Sequence, residues 1–213
     1  MKDNFAILAH ARSGSTSLFN IFISQDVKAI SEPYNHHNSI KYLDDWGKNG
    51  FESSLDMIFS EYKGMKHLFE FTIREQTDLI KEKCNTIILY RENMIDAAIS
   101  LEMAFKTNVW LRRDKKSEYG KEKILLDRDS VEFYYNYLKK IHNFFDDNCF
   151  IVRYEDLYYG GDQKKIIYDM FDFVGCEVKN YGFIECLLHK RNKINDKNWC
   201  DLVSNWEEIK TIG

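Results

Sequence analysis

Residues 5–24, FAILAHARSGSTSLFNIFIS, constrain this chain more than any other stretch. Phe5 to Leu8 is a short apolar run of the kind that makes a buried strand. Ser13, Gly14, Ser15 and Thr16 form a small polar turn, and from Ser17 onward Leu18, Phe19, Ile21 and Phe22 fall on one side of a helix. A strand, a tight turn of small residues and a helix N-terminus together make an anion site. The first backbone N–H groups of a helix have no internal partners, and the macrodipole adds positive potential at the same end. Gly14 allows close backbone approach, the hydroxyls of Ser13, Ser15, Thr16 and Ser17 add donors, and Arg12 adds a permanent cation. An ordinary Ser/Gly turn capping a helix has the same local composition, so the rest of the chain must decide.

A Walker A loop carries a Lys immediately before its terminal Ser/Thr. Here that Lys is missing and the cation precedes the glycine, which argues against ATP and GTP. Further along, Val27 to Ile30 predicts a short second strand running into the loop Ser31-Glu32-Pro33-Tyr34-Asn35-His36-His37. The residue before a proline is biased toward extended geometry, so Glu32 is held out of any helix. Leu55, Ile58, Phe59 and Tyr62 are spaced for a helix, His67 to Ile73 reads as a strand, and Glu75 to Lys83 as a charged surface helix. Thr86 to Tyr90, TIILY, is the best candidate for a central parallel strand. Arg91 follows it, then a helix from about Met94. Arg112 to Lys123 is a charge-dense run, read as a solvated loop or a lid over an anionic ligand. The series Phe133, Tyr137, Ile141, Phe144 and Phe145 predicts a long helix packed in a core. Phe150 to Tyr154 predicts another strand and Ile166 to Val174 another helix.

Strands alternating with helices predict an α/β fold with a mostly parallel central sheet and helices on both faces. Ligands of such sheets bind beyond the carboxyl ends of the strands, where Arg12, Arg91 and Tyr154 would gather. With 213 residues the chain is expected to be a single domain over 1–213. A net charge of −4 does not suggest a nucleic-acid partner, so an anionic ligand must be met by local cations. The five cysteines, Cys84, Cys149, Cys176, Cys186 and Cys200, are scattered and odd in number, which favours reduced thiols in the cytoplasm. No apolar run approaches membrane-spanning length.

Arg91 at a strand end and Ser100 in the following helix could meet on one phosphate dianion, an Arg fork plus a hydroxyl. RSGSTSL near the N-terminus, YREN…DAAISLEMAFKTNVW in the middle and VRYEDL around Tyr154 occur in this order. Together they resemble sulfotransferases that use 3′-phosphoadenosine 5′-phosphosulfate (PAPS) and release 3′-phosphoadenosine 5′-phosphate (PAP). The middle motif, with Ser100, Leu101, Ala104, Thr107 and Trp110, is most similar to bacterial carbohydrate enzymes of the trehalose 2-sulfotransferase type. Ser-Glu-Pro after the first helix resembles carbohydrate sulfotransferases as well. The match runs from about residue 5 to 175 and thins beyond. The resemblance implies that Arg12, Ser13, Gly14, Ser15, Thr16 and Ser17 hold the 5′-phosphosulfate, that Arg91 and Ser100 hold the 3′-phosphate, and that Tyr154 contacts the adenine. It implies Glu32 as the base, a carbohydrate or small-alcohol acceptor, a P-loop-like sulfotransferase fold and a homodimer. The gap from Arg91 to Ser100 is slightly longer than in cytosolic aryl and steroid sulfotransferases.

Sulfuryl transfer needs in-line attack, neutralisation of the leaving phosphate and removal of a proton from the attacking hydroxyl. Arg12 and the helix N-terminus can neutralise charge, so no metal is needed in principle. Glu32 is the candidate base. His36 and His37 are rivals because an imidazole titrates near neutrality. His10 is expected to be structural, Lys190 and Arg191 are either surface residues or a reach toward the 3′-phosphate, and Glu155-Asp156 are expected to cap a helix. Two other function classes remain open: a kinase-like phosphotransferase, and a non-catalytic module that binds PAP or PAPS without needing Glu32.

Overall fold

The computed structural model describes residues 2–35, 39–71, 73–110, 122–189 and 198–213. They gather into two compact units, Met1–Tyr90 with Phe145–Leu188, and Arg91–Phe144 with His189–Gly213.

The first unit carries a parallel sheet. Its strands β1 (Phe5–Ala9), β2 (Ala29–Ser31), β3 (Gly64–Leu68), β4 (Asn85–Tyr90) and β5 (Cys149–Arg153) lie in the order β2-β3-β1-β4-β5. All five residues of β1 are buried, because the central strand is covered on both faces. Phe5, Ile7 and Ala9 join Ile87, Leu89 and Val152 in a core closed by α1 (Ser15–Ser24), α8 (Gln163–Phe173) and α9 (Tyr181–Leu188). In that core the ring of Phe22 lies 4.6 Å from Phe5 and 4.4 Å from Phe171. Ala6, Leu8 and Ile88 alternate to the opposite face. There α4 (Arg74–Lys83) packs on β4 and against α3 (Phe51–Glu61), which in turn packs on α2 (Ile40–Asn49).

Because the strands are parallel, their carboxyl ends share one edge of the sheet. Ala9 pairs with Leu68 on one side and Leu89 on the other, and Tyr90 pairs with Arg153. The chain enters β1 at the middle of the sheet, with β3 and β4 on opposite sides of it. The loop leaving β1 therefore sits where connections diverge, the usual place for a ligand crevice.

Several boundaries differ from expectation. β3 starts earlier than the sequence suggests and ends at Leu68, and Phe69–Phe71 turn as a 3₁₀ helix instead of extending the strand to Ile73. Helix α2 was not anticipated. Its buried positions are Tyr42 and Asp45, which give almost no apolar periodicity. β5 stops at Arg153, and Tyr154 opens the short helix α7 (Tyr154–Tyr159).

The second unit holds α5 (Met94–Thr107), α6 (Arg128–Leu138), a 3₁₀ segment over Lys139–Phe144, and two short helices, α10 (Trp199–Leu202) and α11 (Trp206–Ile209). Only Ile141 of the expected core series is fully buried, and Phe133 is 66 % exposed. The buried side of this stretch is instead Val131, Leu138 and Ile141. The C-terminal residues are stitched in by hydrogen bonds. Ile124 N–H donates to Leu202 O (2.8 Å) and Ser204 N–H to Ile124 O (3.0 Å). The amide of Asn205 accepts from Leu126 N–H (3.1 Å) and donates to Leu126 O (3.0 Å). Arg128 donates to Glu208 O (2.9 Å) and the Thr211 hydroxyl (3.0 Å).

Candidate active site

The loop from β1 to α1 is shaped by two left-handed residues, Arg12 (φ 65°) and Gly14 (φ 84°). Gly14 is the N-cap of α1, so no side chain is brought over the first amides of the helix. Its missing Cβ is required twice. The left-handed backbone disfavours an L side chain, and an added Cβ would lie 2.9 Å from the rings of Tyr154 and Tyr158. The Tyr158 hydroxyl donates to the Gly14 carbonyl at 3.0 Å. Tyr154, 8 % exposed, has its ring 4.6 Å from that of Tyr158. These two tyrosines form the floor under the loop.

Other contacts tie the loop from the sides. Ser13 is buried, and its hydroxyl donates to His10 O at 2.7 Å, so it braces the turn. Ala11 N–H donates to the Glu70 carboxylate at 2.9 Å, and His10 Nδ1 lies 3.4 Å from the same oxygen. Thr16 is exposed, Ser17 half-buried and Ser15 buried.

Glu32 reaches the loop from the carboxyl end of β2 through a cation that sequence reasoning missed. Lys66, in the middle of β3, is 2 % exposed. Its Nζ lies 2.5 Å from Glu32 Oε1 and 3.4 Å from the Thr16 hydroxyl. Asn35 donates to the other Glu32 oxygen at 3.0 Å. Glu32 is left-handed (φ 51°), not extended as its position before Pro33 suggested. The backbone explains this: Glu32 N–H still donates to Lys66 O (2.6 Å), while Asn35 N–H closes a turn onto Glu32 O (3.0 Å). Burial pushes the Glu32 carboxyl up. The charge of Lys66 and the hydrogen bonds from Lys66 and Asn35 outweigh burial and hold it below the usual carboxylate range.

Next to Lys66, His67 is fully buried, and both its ring nitrogens lack a hydrogen-bond partner among the described residues. Burial pushes its pKa down to about 3, so it stays neutral. One signal could have flagged this pair. A Lys-His dipeptide is out of place in a strand buried along its whole length, where each polar group needs a reason to be there.

In the second unit, Arg91 is the first residue after β4. Its Nη2 donates to Asp96 Oδ2 at 3.1 Å, and Asn93 caps α5 by accepting from Asp96 N–H at 3.2 Å. Ser100 is buried in α5 one turn beyond Asp96, on the same helix face. The structure thus groups Arg12 to Ser17, Glu32 and Tyr154 in one unit, and Arg91 with Ser100 in the other. His36, His37, most of the Arg112–Lys123 run, Lys190 and Arg191 lie outside the described residues. Asp156 lies in the first turn of α7 and accepts from Arg153 at 2.9 and 2.6 Å.

A family model described as "Sulfotransferase domain" matches residues 2–206. The chain belongs to the sulfotransferase family. Seventeen solved chains match the sulfotransferase in structure. One is mouse sulfotransferase SULT7A1 complexed with PAP, with a TM-score of 0.52 and 16% sequence identity, covering 98% of this chain and 74% of the other. At that identity the likeness speaks for the fold, a parallel sheet flanked by helices. No curated protein matches the chain in sequence. Family membership makes the chain an enzyme, a PAPS-dependent sulfotransferase.

The loop's chemistry fits such a donor. It offers helix N-terminal amides, the Thr16 and Ser17 hydroxyls and the Arg12 cation, with Lys66 of β3 beside Thr16, groups suited to a phosphosulfate anion. Among the described residues no group of three or more His, Cys, Asp or Glu is placed to hold a metal ion, and no helix is long and apolar enough to cross a membrane.

Proposed function

We propose that this sulfotransferase moves the sulfuryl group of PAPS onto a hydroxyl of a carbohydrate or small alcohol, with Glu32 as the base. One observation carries the reading. A buried lysine touches both Glu32 and Thr16, so the base and the anion loop share one cation. PAPS supplies the sulfuryl group and departs as PAP. Arg12, Gly14, Ser15, Thr16 and Ser17 hold the phosphosulfate end, with Ser13 bracing the turn. Arg91 and Ser100 take the 3′-phosphate, and Tyr154 borders the adenine.

In the reaction, the acceptor oxygen forms a bond to sulfur while its proton passes to Glu32. The bond from sulfur to the bridging oxygen breaks, and its electron pair stays on the departing phosphate. Arg12, Lys66 and the N-terminus of α1 offset that growing charge. Glu32 begins ionised, held by Lys66 and Asn35. An anionic donor at the loop competes for the Lys66 ammonium, and a carboxylate that loses its cation becomes more basic. The base is thereby strengthened when the donor is in place.

The carbohydrate or small-alcohol acceptor and a homodimer rest on the resemblance of the middle motif to carbohydrate enzymes. The odd number and scattered placement of the five cysteines support a cytoplasmic location. A single domain over 1–213 is supported by a family match that runs through both compact units. Glu32→Gln is expected to lower kcat by ~10²–10⁴-fold. Its dissociation constant for PAP should stay within a few-fold of the parent's, measured by calorimetry. Unchanged turnover in that variant would remove Glu32 from the mechanism.

A further inference from the structure

The carboxylate that holds Arg91 is itself held. Asp96 accepts from Arg91 Nη2 through Oδ2 (3.1 Å) and from the indole Nε1–H of Trp199 through Oδ1 (2.7 Å). Its two oxygens are thus divided between a cation and a neutral donor. Arg91 and Asp96 are 16 % and 27 % exposed, so the pair is partly screened from water. Trp199 opens α10, in a C-terminal segment fixed to its unit by the Leu202, Ser204 and Asn205 hydrogen bonds.

An indole N–H is only a donor. It cannot bind the guanidinium, and it does not neutralise Asp96. What it can do is fix the rotation of the carboxylate, which then aims the guanidinium from a single position. An Arg that must meet a phosphate with its forked donors loses affinity when it samples several orientations, since the ordering cost then falls on binding.

We infer that Trp199 is a positioning residue for 3′-phosphate recognition, acting through Asp96 on Arg91. This rests on the reading of Arg91 as the 3′-phosphate ligand. It gives the C-terminal segment, where sequence resemblance thins, a part in donor selection.

The test compares PAP with AMP, which lacks the 3′-phosphate, by calorimetry. The ratio of their dissociation constants isolates the 3′-phosphate. Arg91→Ala should collapse that ratio. Trp199→Phe should lower it roughly tenfold, the size of one charge-assisted hydrogen bond, while AMP affinity stays the same. Trp199→His, which keeps a ring N–H donor, should restore part of it. In the double variant Trp199→Phe should add nothing to Arg91→Ala, because both act on one contact. If Trp199→Phe does not fold, Asp96→Asn, nearly the same shape but uncharged, takes its place in the same cycle. A collapsed ratio in Arg91→Ala with an unchanged ratio in Trp199→Phe, or strictly additive effects, would overturn the inference and leave the Arg91 reading standing. An unchanged ratio in Arg91→Ala would overturn the reading and the inference with it.

Discussion

At the scale of single residues, two buried polar groups side by side on β3 do different work. Lys66 is paired with Glu32 and lies close to Thr16, so its burial is compensated. His67 is not compensated in that way, and it is kept neutral by its surroundings. The pH consequence follows from the sign of the shift. An unfolded His takes up a proton near its ordinary pKa of about 6.5, whereas folded His67 resists protonation down to about 3. Protons therefore favour the unfolded chain between those values, and stability falls as pH drops through that window, by up to roughly 1.4 kcal/mol per pH unit. His67→Leu should flatten the fall of the unfolding midpoint between pH 6 and 4. Equal slopes in parent and variant would contradict the assignment. Neither residue was legible as a site in the sequence. The expected strand began at His67, so Lys66 stood outside it, and nothing in a single sequence reports that β3 lies beside β1 and brings Lys66 to Thr16.

At the scale of elements, the β1–loop–α1 unit was the most legible part. Its apolar run, its small residues and its helix periodicity agree with one another. What the sequence could not supply is the floor. Tyr154 and Tyr158 come from α7, which follows the last strand, β5, and fill the space that a Gly14 side chain would need. Gly14→Ala is accordingly expected to cost ~1–3 kcal/mol in backbone strain, with further loss from ring displacement. It should also weaken PAP binding, read by denaturant melts and calorimetry together. A variant as stable as the parent would mean that the loop relaxes without the tyrosines. The misread stretches share a cause. In α2 the buried positions carry Tyr42 and Asp45, and around α6 the aromatics lie partly in solvent while Val131 and Leu138 are buried. Side-chain size and hydrophobicity proved poor guides where a helix buries one narrow stripe.

At the scale of the whole molecule, the sheet order β2-β3-β1-β4-β5 puts the loop after β1 at the divergence of the crossovers. The family match over residues 2–206 makes the chain a sulfotransferase, and that position is the one proposed above for its donor. Alternating strands and helices made the architecture readable from the chain alone, since parallel pairing requires crossovers of this kind. The acceptor was not readable, because loops rather than the sheet shape its pocket. The donor site proposed for PAPS must recognise the 3′-phosphate. That requirement is tested most directly by thermal unfolding of the parent chain with PAP, and in parallel with ATP–Mg²⁺ and adenosine 5′-phosphosulfate. PAP at a hundred times its dissociation constant should stabilise the fold by ~2.7 kcal/mol, seen as a raised midpoint that Arg91→Ala abolishes. A midpoint raised by ATP–Mg²⁺ and indifferent to the 3′-phosphate would contradict the account and make the Arg12 loop a phosphotransferase site.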